Sequence, residues 1–545
     1  MKKLLYVGLL LAGLAIGAIT TWAFMPSQTK EMSSDQKLRL AAALIQNYYV
    51  EEVNNDTLVE EAIRGMLSTL DPHSAYSTPA ETEELNQPLE GKFSGIGIQF
   101  NLLEDTVYVI QTTAGGPSEK VGIRPGDRII SANDTVIAGK KLVNSDILKT
   151  LRGPKGSVVD LKVKRSGEPE LIDFTVIRDD IPLYSVDASY LVNDSTGIIS
   201  VSRFAESTAR EVAVATDSLA HLGMKHLILD LSSNGGGYLG SAVDLASIFL
   251  ENGSPVVYTQ GLHTRPTHFD VEPSWKAPVD RLVIMVDQYS ASASEILSGA
   301  IQENDRGLIV GRRTFGKGLV QRPFPFPDGS MIRLTVSRYY TPSGRCIQKP
   351  YEKGKGEEYL LDMLNRYNSG ELWHADSIHL DKSQPYYTLK NRRVVYGGGG
   401  IMPDVFVPAD TSRYSTYYRD LVAKGVMMKY AVNFIENNRQ QLLKQYPTEE
   451  AFANNYVPTQ ANIDGLIAMG KENGVEFNQQ QWNTSKDLIL AVFKGLVTRD
   501  LYENGIYVRS TNPLSKDFQE ALDLINDPKR YNQLLQGEKK SLLEI

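Results

Sequence analysis

Three serines stand close together in "YSASASEI", residues 289–296, directly after the apolar run "RLVIMVD". Serine caps helix N-termini, so one of them is expected as a cap. A serine at a strand-to-helix turn can also attack a carbonyl carbon, because the first N–H groups of the helix stabilise the negative charge that develops on the oxygen. The stretch therefore predicts a helix cap, a nucleophile or both.

A serine nucleophile needs a base, and a lysine is the best candidate. None of the seven histidines lies in a glycine-framed motif, and the patterns GxSxG and HExxH do not occur. Lys317 lies between two glycines in "RRTFGKGLVQ". Since an unperturbed lysine is protonated at pH 7, Lys317 can act as a base only where burial lowers its pKa.

A third motif, "LILDLSSNGGG", ends another apolar run in Gly235, Gly236 and Gly237. The glycines predict a tight turn, and without a Cβ their backbone N–H groups could also approach a substrate closely. All three motifs follow predicted strands. In an α/β fold, ligands bind at the carboxyl ends of strands, so the motifs are expected at one edge of a sheet.

The secondary structure predicted for the elements that position these motifs changes along the chain. Apolar residues at helical spacing predict a helical lead-in, and short alternating strands with glycine-rich turns predict a β-rich module. Strands then alternate with helices, and "GLIVG" and "SMIRLTVSRYYTPSG" are expected to extend the same sheet. The predicted divisions are an anchor or signal (1–26), a helical region (27–89), the β-rich module (90–182), an α/β core (183–410) and a helical extension (411–545).

The segments "LDLSSNGGG", "YSASASEILSGAIQEN" and "VGRRTFGKGLVQ", in this order and spacing, resemble the carboxyl-terminal processing proteases, also called tail-specific proteases. The similarity runs from "YYVEEV" and "LDPHSAY" to "GGGGIMPDV". It implies a Ser/Lys peptidase with an α/β core of mixed, crotonase-like sheet and an inserted PDZ domain. No metal, nucleotide or organic cofactor is implied.

The resemblance also assigns the catalytic roles. The nucleophile of the family lies 25 residues before the lysine of "FGKG", which gives Ser292, and Lys317 is then the base. The glutamine four residues later is Gln321, whose amide would orient the lysine amine. Glu303 occupies a polar or acidic position of the family and is expected to be a supporting residue.

For the oxyanion, the resemblance implies the backbone N–H groups of Ala293 and of Gly235 or Gly236. Ser232 stands where the family commonly has arginine, which puts a local salt bridge in doubt but not the backbone donors.

Within the β-rich module, "FSGIGIQF" resembles the carboxylate-binding loop of a PDZ domain, and "AGGPSEKVGIRPGDRIISAND" resembles its middle. Such a domain binds an extended peptide at a sheet edge, while loop N–H groups hold the terminal carboxylate. Gly95, Ile96 and Gly97 are the expected donors. The alternative is an ordinary turn of a β-barrel.

The N-terminus predicts export. Lys2 and Lys3 precede 21 residues without a charge, Leu4 to Phe24, close to the length that spans a bilayer. By the positive-inside rule the remaining chain would be periplasmic or extracytoplasmic, held in the inner membrane by residues 4–24. A cleaved signal ending near Thr21-Trp22-Ala23 is the alternative. The single cysteine, Cys346, excludes an internal disulfide.

The family resemblance, together with the N-terminal segment, implies an exported serine endopeptidase that recognises exposed C-terminal tails. The net charge of −8 and the absence of a basic cluster interleaved with aromatics argue against nucleic-acid binding. The expected partners are proteins or peptides with free C-termini and the membrane, while a homo-oligomer and an adaptor remain open. Two rival functions are a PDZ-bearing scaffold or chaperone without proteolysis, and a Ser-His-Asp hydrolase.

Overall fold

The computed structural model describes residues 32–378, 383–502 and 505–538, together with Gly8, Gly13, Leu14 and Gly17. The predicted anchor at residues 4–24 and its alternative cleavage site therefore lie almost entirely outside the described residues. Within the described part of the chain, no helix combines the length and the apolar character that a membrane span requires. The chain divides into two compact units, residues 1–67 and 68–545.

From residue 32 onward, the described part of the first unit contains two helices, as the apolar spacing predicts. Helix α1 is Ser34–Tyr48, and Ser33 caps it by accepting the N–H of Gln36. Helix α2 begins at Asn55 and ends at Ser68, at the boundary of the unit. No residue of α1 is buried.

The second unit begins with β1 (Ala75–Ser77) and α3 (Pro79–Glu90) and continues into the β-rich module. Strands β2 (Lys92–Gly95) and β9 (Asp179–Pro182) pair where the chain enters and leaves the module. Between them lies an antiparallel sheet in the order β3-β4-β5-β7-β8, with β6 paired to β5, so β3 is an edge strand. The elements between β2 and β9 are β3 (Ile98–Leu103), β4 (Thr106–Thr112), α4 (Pro117–Val121), β5 (Arg128–Ala132), β6 (Thr135–Val136), α5 (Asn144–Leu151), β7 (Val158–Lys164) and β8 (Ile172–Ile177).

The α/β core is built on a six-stranded sheet in the order β10-β11-β12-β15-β16-β21. Strand β10 is antiparallel to β11 and the others are parallel, so the sheet is mixed. Near-continuous apolar sequence in β12 and β15 matches burial on both faces. The elements of this part are β10 (Val186–Leu191), β11 (Thr196–Val201), α6 (Thr208–His221), β12 (His226–Asp230), α7 (Leu239–Phe249), β13 (Pro255–Gln260), β14 (Thr267–Asp270), β15 (Arg281–Val286), α8 (Ala293–Glu303) and β16 (Leu308–Gly311).

A second sheet takes β17 (Leu319–Pro325) and β18 (Met331–Tyr340), which pair with each other; β18 also pairs with β1 and β13. The expectation that "SMIRLTVSRYYTPSG" extends the main sheet is therefore wrong, whereas "GLIVG" does join it as β16. Strand pairing depends on partners distant in sequence, which the local pattern does not contain. The core is completed by α9 (Gly356–Leu360), α10 (Asp362–Asn368), a 3-10 turn (Ala375–Ser377), β19 (Pro385–Tyr387), β20 (Val394–Tyr396) and β21 (Val405–Phe406).

The C-terminal extension is helical, as predicted, and its helices contribute to two separate apolar clusters. Helix α17 packs on the main sheet, where Phe518 and Leu524 join an apolar cluster with Ile228 and Val283. The preceding helices form their own apolar core. The helices are α11 (Thr416–Ala423), α12 (Val426–Gln445), α13 (Glu449–Asn455), α14 (Gln460–Glu472), α15 (Gln479–Leu501), α16 (Val508–Thr511), α17 (Lys516–Asn526) and α18 (Pro528–Leu535), with a 3-10 turn at Asn512–Leu514. An α/β core with an inserted β-rich module and helical terminal regions confirms the predicted fold class.

Helix α12 docks on the β3–β4 hairpin of the module. Val432 is 1% exposed and packs against Leu103, Tyr108 and Ile110, which face away from the core of the module. Lys429 pairs with Glu104 at 2.8 Å beside this contact. Among the described strands, β3 pairs with β4 alone.

The interface predicts that Val432→Asp detaches the module without unfolding the helical region. An unpaired carboxylate in an apolar contact costs several kcal/mol, and Val432 lies outside the apolar core of the helical region. Hydrogen–deuterium exchange of β3 and β4 should rise, while exchange of α15 stays unchanged. Val422→Asp, at a position 48% exposed, is the control. Unchanged exchange in β3 and β4 of Val432→Asp would show that the docking is not stable in solution.

Candidate active site

The three predicted motifs meet at one edge of the main sheet. Strands β12, β15 and β16 are adjacent and parallel, so their carboxyl ends lie side by side. The loops that follow them contain the glycines 235–237, the serines 290–294 and the FGKG motif, respectively. Phe315 N–H donates to the carbonyl of Ser290 at 3.0 Å, which joins the second and third loops.

Two of the three serines hold the loops together. The hydroxyl of Ser290 donates to the carbonyl of Leu231 at 2.8 Å, and the hydroxyl of Ser294 donates to the carbonyl of Asn234 at 2.8 Å. Both serines are fully buried. Ser290 and Ser294 therefore connect the serine loop to the glycine loop, and Ser292 is the one that stands at the helix start.

Ser292 occupies the N-cap of α8 with a strained backbone, φ 57° and ψ −114°. A non-glycine residue in such a region costs about 1–3 kcal/mol and is held there by its surroundings. Gly236 is one of these surroundings: a Cβ at this position would lie 2.8 Å from the Cβ of Ser292 and 2.9 Å from the nitrogen of Ala293. Only glycine allows the glycine loop to approach the serine this closely.

The backbone donors assigned to the oxyanion differ in their present partners. Ala293 is the first residue of α8, where the N–H groups lack intrahelical partners and the helix dipole is positive. Gly236 lies against it, but its N–H donates to Oδ1 of Asn234 at 2.9 Å. Gly235 is exposed and faces open space. The geometry thus brings Ala293 and Gly236 together beside Ser292.

The lysine loop is packed too tightly for side chains on its glycines. A Cβ on Gly318 would lie 2.8 Å from the nitrogen of Gln348, and one on Gly316 would lie 3.1 Å from the Cβ of Lys349. Gly316 also has φ +87°, which L-residues rarely adopt. The close packing fixes the backbone on both sides of Lys317.

One buried carboxylate binds the serine and lysine loops together. Glu295, 0% exposed, accepts the N–H of Ser292 at 2.8 Å and the N–H of Lys317 at 2.9 Å on the same oxygen. Its other oxygen accepts the N–H of Gly316 at 2.7 Å and the hydroxyl of Thr314. Burial raises the pKa of Glu295, while these four donors stabilise its ionised form. The carboxylate therefore sets the distance between the backbones of Ser292 and Lys317.

Tyr339 makes a second connection between the same two residues. Its hydroxyl lies 3.2 Å from the carbonyl oxygen of Ser292 and also within hydrogen-bond distance of the carbonyl oxygen of Lys317. Burial raises its pKa well above the ordinary range, so the hydroxyl stays protonated as a donor. The N–H groups of Ser292 and Lys317 therefore share one acceptor, Glu295, and their carbonyl oxygens share one hydroxyl donor, Tyr339.

The surroundings of Lys317 favour its neutral form. Burial lowers the pKa of the amine, and the positive charge of Arg333 lowers it further. Glu295 and Asp71 act in the opposite direction. His73 also lies in this cluster, and burial lowers its pKa to about 4, so it is uncharged at neutral pH. A desolvated lysine of this kind can take a proton from a hydroxyl group.

Gln321 and Glu303 differ in their relation to the site. Gln321 is partly buried in β17, four residues after Lys317, and its Nε2 lies 3.3 Å from the carbonyl oxygen of Leu319. Glu303 ends α8, roughly 16 Å along the helix from Ser292. Its carboxylate accepts hydrogen bonds from Nε of Arg345 and the N–H of Ser343, both at 2.6 Å. The structure does not bring Glu303 to Ser292 or Lys317.

The predicted carboxylate-binding loop begins where β2 ends. Gly95 is the last residue of β2, and Ile96 is 2% exposed in the core of the module. Gly97 has φ +72°, and a Cβ there would lie 2.9 Å from Cδ1 of Ile181. The loop leads directly into the edge strand β3, as binding of a peptide carboxylate beside that edge requires.

The site residues predicted from the sequence do not include Glu295, Tyr339 or Thr314. Glu295 carries a local signal, because a glutamate three residues after a helix-capping serine is the pattern of a capping box. Tyr339 and Thr314 carry none, because their partners come from distant segments of the chain.

Glu295→Gln is predicted to lower both stability and turnover. The amide has the shape of the carboxylate, but its NH₂ group would face two donors that the carboxylate accepts. Each buried donor left without an acceptor costs about 1–3 kcal/mol. Chemical denaturation and peptide hydrolysis measure the two effects. Glu358→Gln, with a side chain 65% exposed, should change the free energy of unfolding by less than about 0.5 kcal/mol. Wild-type stability in Glu295→Gln would contradict the role of this carboxylate.

Four family models match the chain. Residues 195–354 match peptidase family S41, and residues 94–176 match the PDZ domain. Residues 16–82 match the N-terminal domain of the activating protease CtpB, and residues 417–503 match a family of unknown function, DUF8443. The β-rich module is therefore a PDZ domain, as the sequence predicts.

Named relatives agree with these matches. The chain is 34% identical over 396 residues to the carboxy-terminal processing protease CtpB of Bacillus subtilis, covering 72% of this chain and 79% of that protein. It is 32% identical to CtpA of the same organism, covering 62% of this chain and 74% of that protein. A solved photosystem II D1 C-terminal processing protease is 27% identical, covering 58% of this chain and 91% of that one, with a TM-score of 0.34. The extent of identity with CtpB shows that the chain belongs to the carboxy-terminal processing proteases of peptidase family S41.

Proposed function

We propose that this protease hydrolyses peptide bonds with Ser292 as nucleophile and Lys317 as general base, and that its PDZ domain recruits substrates by their exposed C-terminal tails. The observation that carries the proposal is the shared carboxylate of Glu295, which binds the N–H groups of both residues. A helix N-terminus beside the serine and a desolvated amine in the lysine loop supply the remaining chemistry.

In the first step, neutral Lys317 takes the proton of the Ser292 hydroxyl as the oxygen attacks the carbonyl carbon of the scissile bond. The carbonyl oxygen becomes an oxyanion, which the N–H of Ala293 and a glycine N–H of the 235–236 turn would stabilise. Gly236 can donate to it only after releasing Asn234. Gly235, which faces open space, is the alternative donor.

In the second step, the tetrahedral intermediate collapses and the C–N bond breaks. Protonated Lys317 gives its proton to the leaving amine, which departs as the new N-terminus of the downstream fragment. A water molecule then attacks the acyl-enzyme ester while Lys317 takes one of its protons. Collapse of the second intermediate returns that proton to Ser292 and releases the upstream carboxylic acid.

The electrostatics favour lysine over histidine as the base. Burial lowers the pKa of His73 to about 4, and the positive charge of Lys317 contributes to this shift. A base with so low a pKa accepts a proton weakly at neutral pH. Its Nε2 also lies 3.0 Å from the hydroxyl of Tyr359. These features support the Ser-Lys mechanism over a Ser-His-Asp arrangement.

The edge strand β3 supports recognition of a free tail. An extended peptide can pair with its open edge, with the terminal carboxylate at the loop formed by Gly95, Ile96 and Gly97. Phe100 of β3 and Ile147 of α5 contribute to one apolar cluster, which suits an apolar final side chain. We propose exported proteins as substrates and an extracytoplasmic location, with residues 4–24 as the anchor.

The direct test is cleavage of an unstructured reporter that ends in an apolar residue with a free carboxylate. The full-length protein should cleave it, and Ser292→Ala should lose activity by at least about 10³-fold, as expected when a nucleophile is removed. Amidation of the reporter's C-terminus should raise KM, because the loop N–H groups lose their anionic partner.

Each control separates a different explanation. Binding of the reporter without cleavage by the wild-type protein would favour a PDZ-bearing scaffold or chaperone. Unchanged cleavage by Lys317→Ala, together with loss of activity on replacing a histidine, would favour a Ser-His-Asp hydrolase. Equal cleavage of the free and amidated reporters would contradict recognition of the free C-terminal carboxylate.

A further inference from the structure

The motif "LDPHSAY" takes no step in the proposed mechanism, yet it forms a turn that contacts Thr335 of strand β18. Asp71 is 8% exposed, and its Oδ1 accepts the N–H of His73 at 2.9 Å and the N–H of Ser74 at 3.0 Å. The same oxygen lies 2.9 Å from the hydroxyl oxygen of Thr335 in β18. Because Oδ1 already accepts two backbone N–H groups, it is an acceptor, and Thr335 must donate its single hydrogen to it.

The hydrogen bond to Asp71 decides how Thr335 meets Gln321, its cross-strand partner in β17. Because the hydroxyl hydrogen of Thr335 is donated to Asp71, the hydroxyl oxygen can only accept further hydrogen bonds. The side-chain amide of Gln321 lies 3.3 Å from this oxygen and 3.3 Å from the carbonyl oxygen of Leu319. Both neighbours are acceptors, so the NH₂ end of the amide must face them, and its oxygen faces the other way.

The orientation of this amide matters for a lysine that works as a base. A neutral amine has two N–H donors and one lone pair, and the lone pair must point at the Ser292 hydroxyl to receive its proton. A neighbour that orients the amine must therefore accept an N–H. An amide oxygen does so, whereas an amide NH₂ group would compete with the serine for the lone pair.

We propose that Thr335, polarised by Asp71, is a positioning residue that keeps the carbonyl oxygen of Gln321 available to the amine of Lys317. The inference rests on the proposed Ser-Lys mechanism, and it adds a role for the hydroxyl of Thr335 and for the turn that contains Asp71. Thr335 acts through Gln321 and is given no direct part in the reaction.

A double-mutant cycle in the full-length protein tests the inference. Thr335→Val keeps the shape of the side chain and removes the hydroxyl, so kcat should fall by about 10- to 100-fold at unchanged KM. Thr335→Ser retains the hydroxyl and should keep kcat within about threefold. In a Gln321→Ala background, Thr335→Val should lower kcat by less than about threefold, because its effect passes through the missing amide.

Two outcomes would overturn the inference. Wild-type kcat in Thr335→Val would show that the hydroxyl is not needed. An equal loss of kcat from Thr335→Val in the wild-type and Gln321→Ala backgrounds would show a structural role independent of the amide. Thermal unfolding of every variant confirms that the fold is intact, and Thr335→Ser is informative even if the valine variant is unstable. Ser292→Ala in the same assay tests the proposed function separately, because residual cleavage by this variant would contradict the role of Ser292 as the nucleophile.

Discussion

The buried carboxylate of Glu295 is the constraint on which the arrangement of the active site depends. A carboxylate removed from water is costly unless every acceptor position is used, and here four donors from two loops use them. Since two of these donors are the N–H groups of Ser292 and Lys317, the hydrogen bonds that stabilise the carboxylate also bring the proposed catalytic pair together. The strained backbone of Ser292 can persist because this network, Tyr339 and Gly236 determine it together.

The sheet explains why such a network forms at this place. Parallel strands β12, β15 and β16 bring three loops to one edge, and the hydroxyls of Ser290 and Ser294 connect two of them. The resulting site is dry enough to lower the pKa of Lys317 but remains beside the open glycine turn. Helix α12 packs on the face of the β3–β4 hairpin that points away from the core of the PDZ domain, and among the described strands β3 pairs with β4 alone.

Local sequence patterns are sufficient to predict most helices and strands, but they do not contain the information on which strands pair or which distant side chains meet. Strand-end motifs predicted the shared edge of the main sheet, and alternating strands predicted the β-rich module. Strand β18 was assigned to the wrong sheet, because its pairing with β17 and β1 is a long-range property. Family spacing suggested Glu303 as a supporting residue, but the position lies at the far end of α8, against Arg345. Thr335 and Asp71 are 264 residues apart, and no local pattern connects them.

Lys317, held by the Glu295 network, is proposed to activate Ser292 as a base. The most direct measurement is the pH dependence of covalent labelling by a fluorophosphonate, followed by mass spectrometry of the adduct. We expect one adduct, on Ser292, with a rate that rises with pH through an apparent pKa below the ordinary lysine value of about 10.4. In Lys317→Met this inflection should disappear and labelling should be much slower. An adduct on another serine, or identical pH–rate curves for the two proteins, would contradict the account.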